Sequence, residues 1–305
     1  MKKSYLKYIA GLLLFGSNGV VASFIPLSSD RIVFLRSVLG GILLIAIFFL
    51  TGNRFTFRQH RRDYLFIAVS GIAMAGDWLF LFEAYDQIGV SLSILINYTG
   101  PAIVIAFSPL LFGEKITPAR ILALAAALAG ACLISGEMVF TEWNPWGLAC
   151  AVLSAFCYAA MVLSDKKAEH VGGTENAAVQ LAVTAIVVTA FTGFRHGFFW
   201  IAGTESWLPI LWLGLINTGI GCFLYFSSIV KLPAQTVAVC GYLEPLSGVF
   251  FSALILRETM TPLQVLGAVL IIGGALFGET GGKAKKGGVR GDPESNGEVE
   301  RDIEP

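Results

Sequence analysis

Ten stretches of the chain carry almost nothing but apolar side chains, each bounded by charge, Pro or Gly. They are Leu6 to Ile25, Ile32 to Thr51, Tyr64 to Tyr85, Ser91 to Phe112, Pro118 to Gly136, Trp146 to Ser164, Ala177 to Phe194, Trp207 to Ser227, Ala234 to Leu256 and Pro262 to Phe277. Crossing about 30 Å of hydrocarbon takes roughly 20 such residues at about 1.5 Å of helical rise each, so each stretch predicts a membrane-spanning helix. The first follows Met1-Lys2-Lys3, the layout of a secretory signal, but it is long and no small-x-small site closes it, so it reads as a span. After residue 278 the pattern ends. Residues 279–305 are rich in Gly and Lys and then acidic; a segment with so little to bury cannot offset the entropy of ordering and is expected to be a disordered cytoplasmic tail.

Composition strengthens this picture. Apolar residues make up 55% of the 305 and charged residues 14%, against about 25% charged in soluble domains. A water-soluble globule is excluded, and a net charge of zero gives no footprint for nucleic acid. The expected class is an all-α membrane protein of ten transmembrane helices, with the lipid bilayer as its solvent.

Lys and Arg in the connections set the orientation. With the N-terminus inside, the cytoplasmic side collects Lys2, Lys3, Lys7, Arg54, Arg58, Arg61, Arg62, Lys115, Arg120, Lys166, Lys167, Lys231 and the basic residues of the tail, 17 of the 21 in all. Arg31, Arg195 and Arg257 fall outside, and Arg36 lies within span 2. Both termini are therefore expected in the cytoplasm of a cell whose plasma (inner) membrane holds the protein. Trp143, Trp146, Trp200 and Trp207 mark outer ends, where indoles favour the headgroup layer.

Shifting the chain by 144 positions lays spans 4 and 5 over spans 9 and 10. Tyr98 meets Tyr242, Pro101 Pro245, Phe107 Phe251, Ser108 Ser252, Glu114 Glu258, Thr117 Thr261, Pro118 Pro262 and Gly130 Gly274. Residues 1–136 and 146–278 thus read as two related five-helix repeats. Five is odd, so the second copy enters the bilayer from the other side and the repeats have inverted topology, the arrangement that supports alternating access.

Asn97-Tyr98-Thr99-Gly100-Pro101 with Gly113-Glu114-Lys115-Ile116-Thr117, and Leu243-Glu244-Pro245 with Arg257-Glu258-Thr259-Met260-Thr261, each followed by a Gly-rich last helix, resemble the EamA-type branch of the drug/metabolite transporter superfamily. Arg31 to Gly40 resembles that family's Arg-containing start of span 2. The resemblance covers about residues 6 to 278. It implies a ten-helix secondary carrier with a central cavity for small polar organic solutes, with export of amino acids or related metabolites preferred. Multidrug or cationic-compound efflux is the alternative; a membrane-embedded enzyme or sensor is a remote third, since no reactive constellation or signalling domain is found.

Polar side chains are costly in hydrocarbon unless packed or wet, so those at mid-span are expected to face the cavity. They are Asn18, Asp77, Asn97, Asn217 and Glu244, with Tyr98, Tyr158, Tyr225 and Tyr242 in reach; interhelical hydrogen bonding is the plainer use of the Asn and Tyr groups. Asp77 and Glu244 are candidates for proton or charge coupling, because a buried carboxylate must be neutral, paired or hydrated. Arg36 could pair with Asp77, hold a substrate carboxylate or snorkel to the surface. Pro101 and Pro245 are expected to kink their helices. The spacings Ser93, Asn97, Pro101 and Cys240, Glu244, Gly248 suggest two polar faces that meet across the pseudo-axis.

Other features read as structural. Glu114 and Glu258 open tight turns in which Thr117 and Thr261 act as N-caps with Pro at N1. Ala126/Gly130 and Gly274/Gly278 are small-xxx-small faces for close packing, more within a monomer than in a homodimer. His60, His170 and His196 fall in loops and the five Cys in helices without a metal-ligand spacing, so no metal, cofactor or catalytic residue is implied.

Overall fold

A computed structural model describes residues 2–134, 144–196, 207–257 and 261–281, and the described residues hold helices and no strand. The helices are α1 (Lys2–Gly16), α2 (Asn18–Ala22), α3 (Ser29–Leu50), α4 (Arg61–Ile88), α5 (Val90–Asn97), α6 (Gly100–Phe112), α7 (Pro118–Ile134), α8 (Pro145–Lys166), α9 (Thr174–His196), α10 (Trp207–Leu211), α11 (Gly221–Ile229), α12 (Ala234–Gly241), α13 (Leu243–Phe251) and α14 (Pro262–Gly281). Two π-helical segments, Trp212–Ile220 and Ser252–Leu256, join α10 to α11 and continue α13. Eight helical stretches are long and apolar enough to cross a membrane, and α7 and α14 hold shorter apolar windows, Pro118–Leu133 and Val265–Gly274. Large apolar side chains such as Leu50, Leu110 and Phe194 stand on the outside, as expected where the solvent is lipid. The last helix continues to Gly281, taking in the first three residues of the expected tail. Residues 282–305, Trp143, Trp200 and Glu258 to Met260 lie outside the described residues.

Three of the expected spans are interrupted. Span 1 breaks at Ser17, whose hydroxyl donates to the Leu14 carbonyl at 2.7 Å. Span 4 breaks at Tyr98 and Thr99, and span 9 at Tyr242. Pro101 and Pro245 follow three residues after Tyr98 and Tyr242. A proline cannot donate to the carbonyl four residues back, and its ring disfavours helical dihedrals in the residue before it. The helix is therefore interrupted about one turn ahead of each proline and restarts just before it, with Pro101 in the first turn of α6. The expectation was a kink; the structure has a break. Where they break, the two spans meet through their tyrosines, with the Tyr242 hydroxyl donating to the Tyr98 carbonyl at 2.6 Å and ring centroids 6.2 Å apart.

Helices pair as α7 with α14, α4 with α8, α3 with α9 and α1 with α11. The first pair uses the small residues singled out in the sequence. A Cβ added at Gly130 would lie 2.5 Å from the Gly267 carbonyl oxygen, and one at Gly274 would lie 2.9 Å from that of Ala123. The backbones touch, which is how helices associate where lipid offers no hydrophobic gain on packing. At the α6–α7 turn, the Thr117 hydroxyl accepts from the Arg120 N–H at 3.4 Å, as an N-cap should.

Candidate functional site

The helix breaks and the π segments surround a cavity of about 720 Å³, inside the range of about 300–1,000 Å³ typical of small-molecule sites. Its wall runs from Tyr158, Cys222 and Gly241 in the middle of the bundle to Ala22, Ser29, Tyr85 and Ser252. These last residues sit where α2 ends, α3 begins, α4 ends and α13 gives way to its π segment, so the cavity reaches one end of the bundle.

Of the residues expected at the site, Asn18, Arg36, Asp77, Asn97, Tyr98, Pro101, Tyr158, Tyr225, Tyr242, Glu244 and Pro245 line this cavity. Asn217 does not. It is fully buried behind the wall, where its amide donates to the Ser17 hydroxyl at 2.8 Å and to Asn18 Oδ1 at 3.0 Å. Its place in the π segment turns it toward the break in span 1, so it orients Asn18 rather than facing solute. Sequence reading missed Trp78, Tyr85 and Ser252. Trp78 adjoins Asp77, but an aromatic there is as easily lipid-facing, and only the rotation of α4 brings it inward.

The charged groups differ in how they are held. Asp77 accepts from Asn97 Nδ2 at 2.8 Å, and the same nitrogen donates to the Ser154 hydroxyl at 3.0 Å. The Arg36 guanidinium lies over the Trp78 ring, 4.0 Å from its centroid, so it stays in the cavity and does not snorkel. It forms no ion pair among the described residues, and its Nε is buried without a hydrogen-bond partner. The Glu244 carboxylate likewise has no hydrogen-bonded partner among the described residues; within its residue the backbone carbonyl accepts from Ser247. Tyr158 spans the two helix breaks. Its ring packs on Gly100, where a Cβ would come within 2.7 Å, and its hydroxyl lies against Gly241.

The opposite end of the bundle is closed by polar contacts. Glu114, from the turn before α7, accepts from the first backbone N–H groups of α12, Ala234 at 2.8 Å and Gln235 at 3.2 Å. Gln235 donates to the Ser108 hydroxyl at 2.9 Å and accepts from Arg120. Lys166, at the end of α8, donates to the Leu232 carbonyl and lies over the Phe112 ring. Glu114 thus has the structural use expected of it, but across more than a hundred residues of sequence rather than within its own turn. The residues around it (Arg120, Lys166, Gln235) carried no local signal of the pairing.

A second convergence was also invisible in the sequence. His60, Asp63 and His170 offer ligand atoms that all lie within 4.8 Å of one another. The two rings stack at 5.2 Å with an interplanar angle of 4°, and Asp63 accepts from the His170 backbone N–H at 2.7 Å. Parallel rings aim their nitrogen lone pairs along parallel planes, so the arrangement fastens the α8–α9 connection to the start of α4 rather than converging on one point.

Comparison with known proteins gives a consistent result. The model of the EamA-like transporter family matches residues 2–136 and 145–278. The chain is 24% identical over 272 residues to the uncharacterized transporter YxxF of Bacillus subtilis (strain 168), covering 88% of this chain and 87% of that one. It is 23% identical over 269 residues to the threonine/homoserine exporter RhtA of Escherichia coli (strain K12), covering 86% and 85%. A solved structure titled only as the crystal structure of a protein superposes with a TM-score of 0.79 at 19% identity, covering 92% of this chain and 98% of that one, and so shares the fold.

Proposed function

The chain belongs to the EamA-like transporter family and is an integral membrane transporter; on that premise we propose that it is a secondary carrier exporting small zwitterionic solutes, amino acids or related metabolites, across the plasma (inner) membrane. One observation carries this reading: a single cavity holds an Arg36 guanidinium and a Glu244 carboxylate, both without an ionic partner among the described residues, beside an Asp77 already oriented by Asn97. Buried charges are ordinarily paired. Opposite charges left open in one chamber suit a solute that brings its own carboxylate and ammonium, the first to the planar fork of Arg36 and the second to Glu244. The threonine/homoserine exporter among the relatives supports the same class of solute.

Ten spans in two inverted five-helix repeats remain the arrangement that best accounts for the 144-residue shift, with residues 1–136 and 146–278 as the two copies and α7 and α14 as the fifth and tenth helices. With both termini in the cytoplasm, the cavity mouth faces outward and the Glu114 contacts close the inner side. Alternating access would then exchange the two ends. Counterflow in proteoliposomes tests the solute class: labelled amino acids should exchange across the wild-type membrane and at least tenfold more slowly with Arg36→Gln or Glu244→Gln. Failure of every amino acid in a broad panel overturns the reading. Two carboxyls and a tyrosine-rich wall also favour organic cations, and counterflow of a cationic dye, unaffected by Arg36→Gln, would establish that second reading instead.

A further inference from the structure

At the end of the bundle that the Glu114 contacts close, the connection from α3 to α4 meets the end of α8. Its acids are engaged. Glu175, in the first turn of α9, accepts from the Thr56 N–H at 2.6 Å, from the Thr56 hydroxyl at 2.9 Å and from the Tyr64 hydroxyl, and Asp63 accepts from the His170 N–H at 2.7 Å. Glu169 is exposed and acts on the charge of Lys166. The cations are not engaged in this way. Arg54, Arg58, Arg61 and Arg62 are exposed and Lys167 is half-buried, and among the described residues none of them forms an ion pair.

Two of these cations are gathered at one ring. The Arg62 guanidinium lies 5.6 Å and the Lys167 ammonium 5.7 Å from the centroid of Phe66, within the reach of a cation–π contact. Phe66 packs against the buried cluster of Tyr64, Ile67, Ala168 and Val171, so a ring held by packing draws in one cation from the start of α4 and one from just past the end of α8. Like charges brought together repel, and an anion from outside relieves that repulsion.

The position selects the anion. Arg61 opens one apolar helical stretch long enough to cross a membrane and Lys166 closes another, so the ring and its cations lie at headgroup level. Beside them, Phe55 and Phe57 are exposed between Arg54 and Arg58. Outward phenylalanines alternating with arginines suit the boundary where phosphates overlie acyl chains. We propose that Arg62, Lys167 and the Phe66 ring between them form a binding site for the phosphate of an anionic phospholipid, with Arg58 and Arg61 extending the positive field and Phe55 and Phe57 seated among the acyl chains. A phosphodiester offers oxygens to the guanidinium fork, and a basic cluster immediately beside a membrane span is the arrangement that anionic lipids favour. A choline headgroup brings its own cation into the same field and gains less. The bound lipid bridges α4, which carries Asp77 and Trp78, and α8, which carries Tyr158, two helices that pack along each other. Nothing in this depends on which solute is carried.

The test uses the purified full-length chain in a non-ionic detergent. Phosphatidylglycerol and phosphatidylcholine with the same acyl chains are offered together, and native mass spectrometry counts the lipids held per chain. Phosphatidylglycerol should be retained at least tenfold over phosphatidylcholine, with one molecule held most tightly. Arg62→Gln combined with Lys167→Gln should weaken that retention by about 10- to 30-fold, and each alone by about fivefold; the single variants serve if the pair does not fold. Phe66→Leu keeps both charges but removes the ring that positions them, and should weaken retention about threefold. Lys115→Gln combined with Lys231→Gln removes two exposed cations from the same end of the bundle and should leave retention within a factor of two. Absence of any preference for phosphatidylglycerol overturns the site, as does a preference that survives the Arg62 and Lys167 pair. An equal loss with the Lys115 and Lys231 pair overturns it as well, since diffuse attraction would give that result. Displacement of the lipid by a large excess of inorganic phosphate would show a site for free anions and overturn the lipid assignment.

Discussion

Removing the Glu114 carboxylate should open the closed end of the bundle. In Glu114→Ala the first two N–H groups of α12 lose acceptors at 2.8 and 3.2 Å. Hydrogen bonds to charged groups contribute about 1.5–3 kcal/mol each, and a carboxylate at a helix N-terminus is favoured further by the dipole. Glu114 is only partly buried, so water replaces part of the loss, and a net cost of about 2–3 kcal/mol is the reasonable figure for the pair. That corresponds to about a 30- to 150-fold rise in the population with this end open, since each 1.4 kcal/mol is tenfold. Ser108 reports on it. It is fully buried and accepts from Gln235 at 2.9 Å, so Ser108→Cys places a near-isosteric thiol behind the clasp. Cys132, an exposed thiol, is first replaced by Ser to remove background. Labelling by a charged, membrane-impermeant maleimide then scales with the open population when opening is fast relative to reaction. Glu114→Ala should accelerate it by about 30- to 150-fold, and Glu114→Gln, which keeps an acceptor oxygen without the charge, should fall between. Equal labelling rates within a factor of two across all three proteins would refute the clasp.

Other outcomes follow from the same structure. Asn97→Leu removes the donor shared by Asp77 and Ser154; it should cost about 1.5–3 kcal/mol of stability in thermal unfolding and reduce counterflow by more than the folded fraction falls. Gly274→Leu forces a side chain against the Ala123 carbonyl and should destabilise by about 1–3 kcal/mol or more, whereas Gly273→Ala, with open space at its Cβ, should be neutral or stabilising by up to about 1 kcal/mol. Arg36→Lys keeps the charge but loses the planar fork that lies over Trp78; it should raise KM for exchange at least tenfold with a smaller change in kcat, and equal KM values would show that the guanidinium fork plays no part. Asn217→Leu should lower the unfolding midpoint and weaken exchange through Asn18, an effect that Asn18→Ala should reproduce without adding to it.

Much of this protein was legible in one dimension because a bilayer imposes a local rule. Every span must be apolar over a set length, so eight helical stretches long and apolar enough to cross stand, among the described residues, where the hydrophobic stretches put them. Pro101 and Pro245 pointed to two of the three interrupted spans, though not to the interruption falling one turn earlier, while Pro109 sits inside α6 without ending it and the break in span 1 has no such mark. A polar residue at mid-span needs a reason to be there, and nine of the ten polar or charged candidates line the cavity. The family motifs lie in turns and helix starts, where backbone geometry restricts residue choice, and they too can be read without a structure.

Partnership and rotation were decided only in three dimensions. Helices here are apolar on the side facing lipid and on the side facing protein, so the sequence pattern does not say which way a side chain points about the helix axis. That rotation places Asn217 behind the wall, brings Arg36 onto Trp78 and turns Trp78 inward. Contacts between residues far apart in the chain, such as Glu114 with Ala234 and Gln235 or His60 with His170, depend on how the helices pack against one another. Apolar periodicity records where a chain meets hydrocarbon; which polar groups then find each other follows from close packing, and only the folded bundle contains that information.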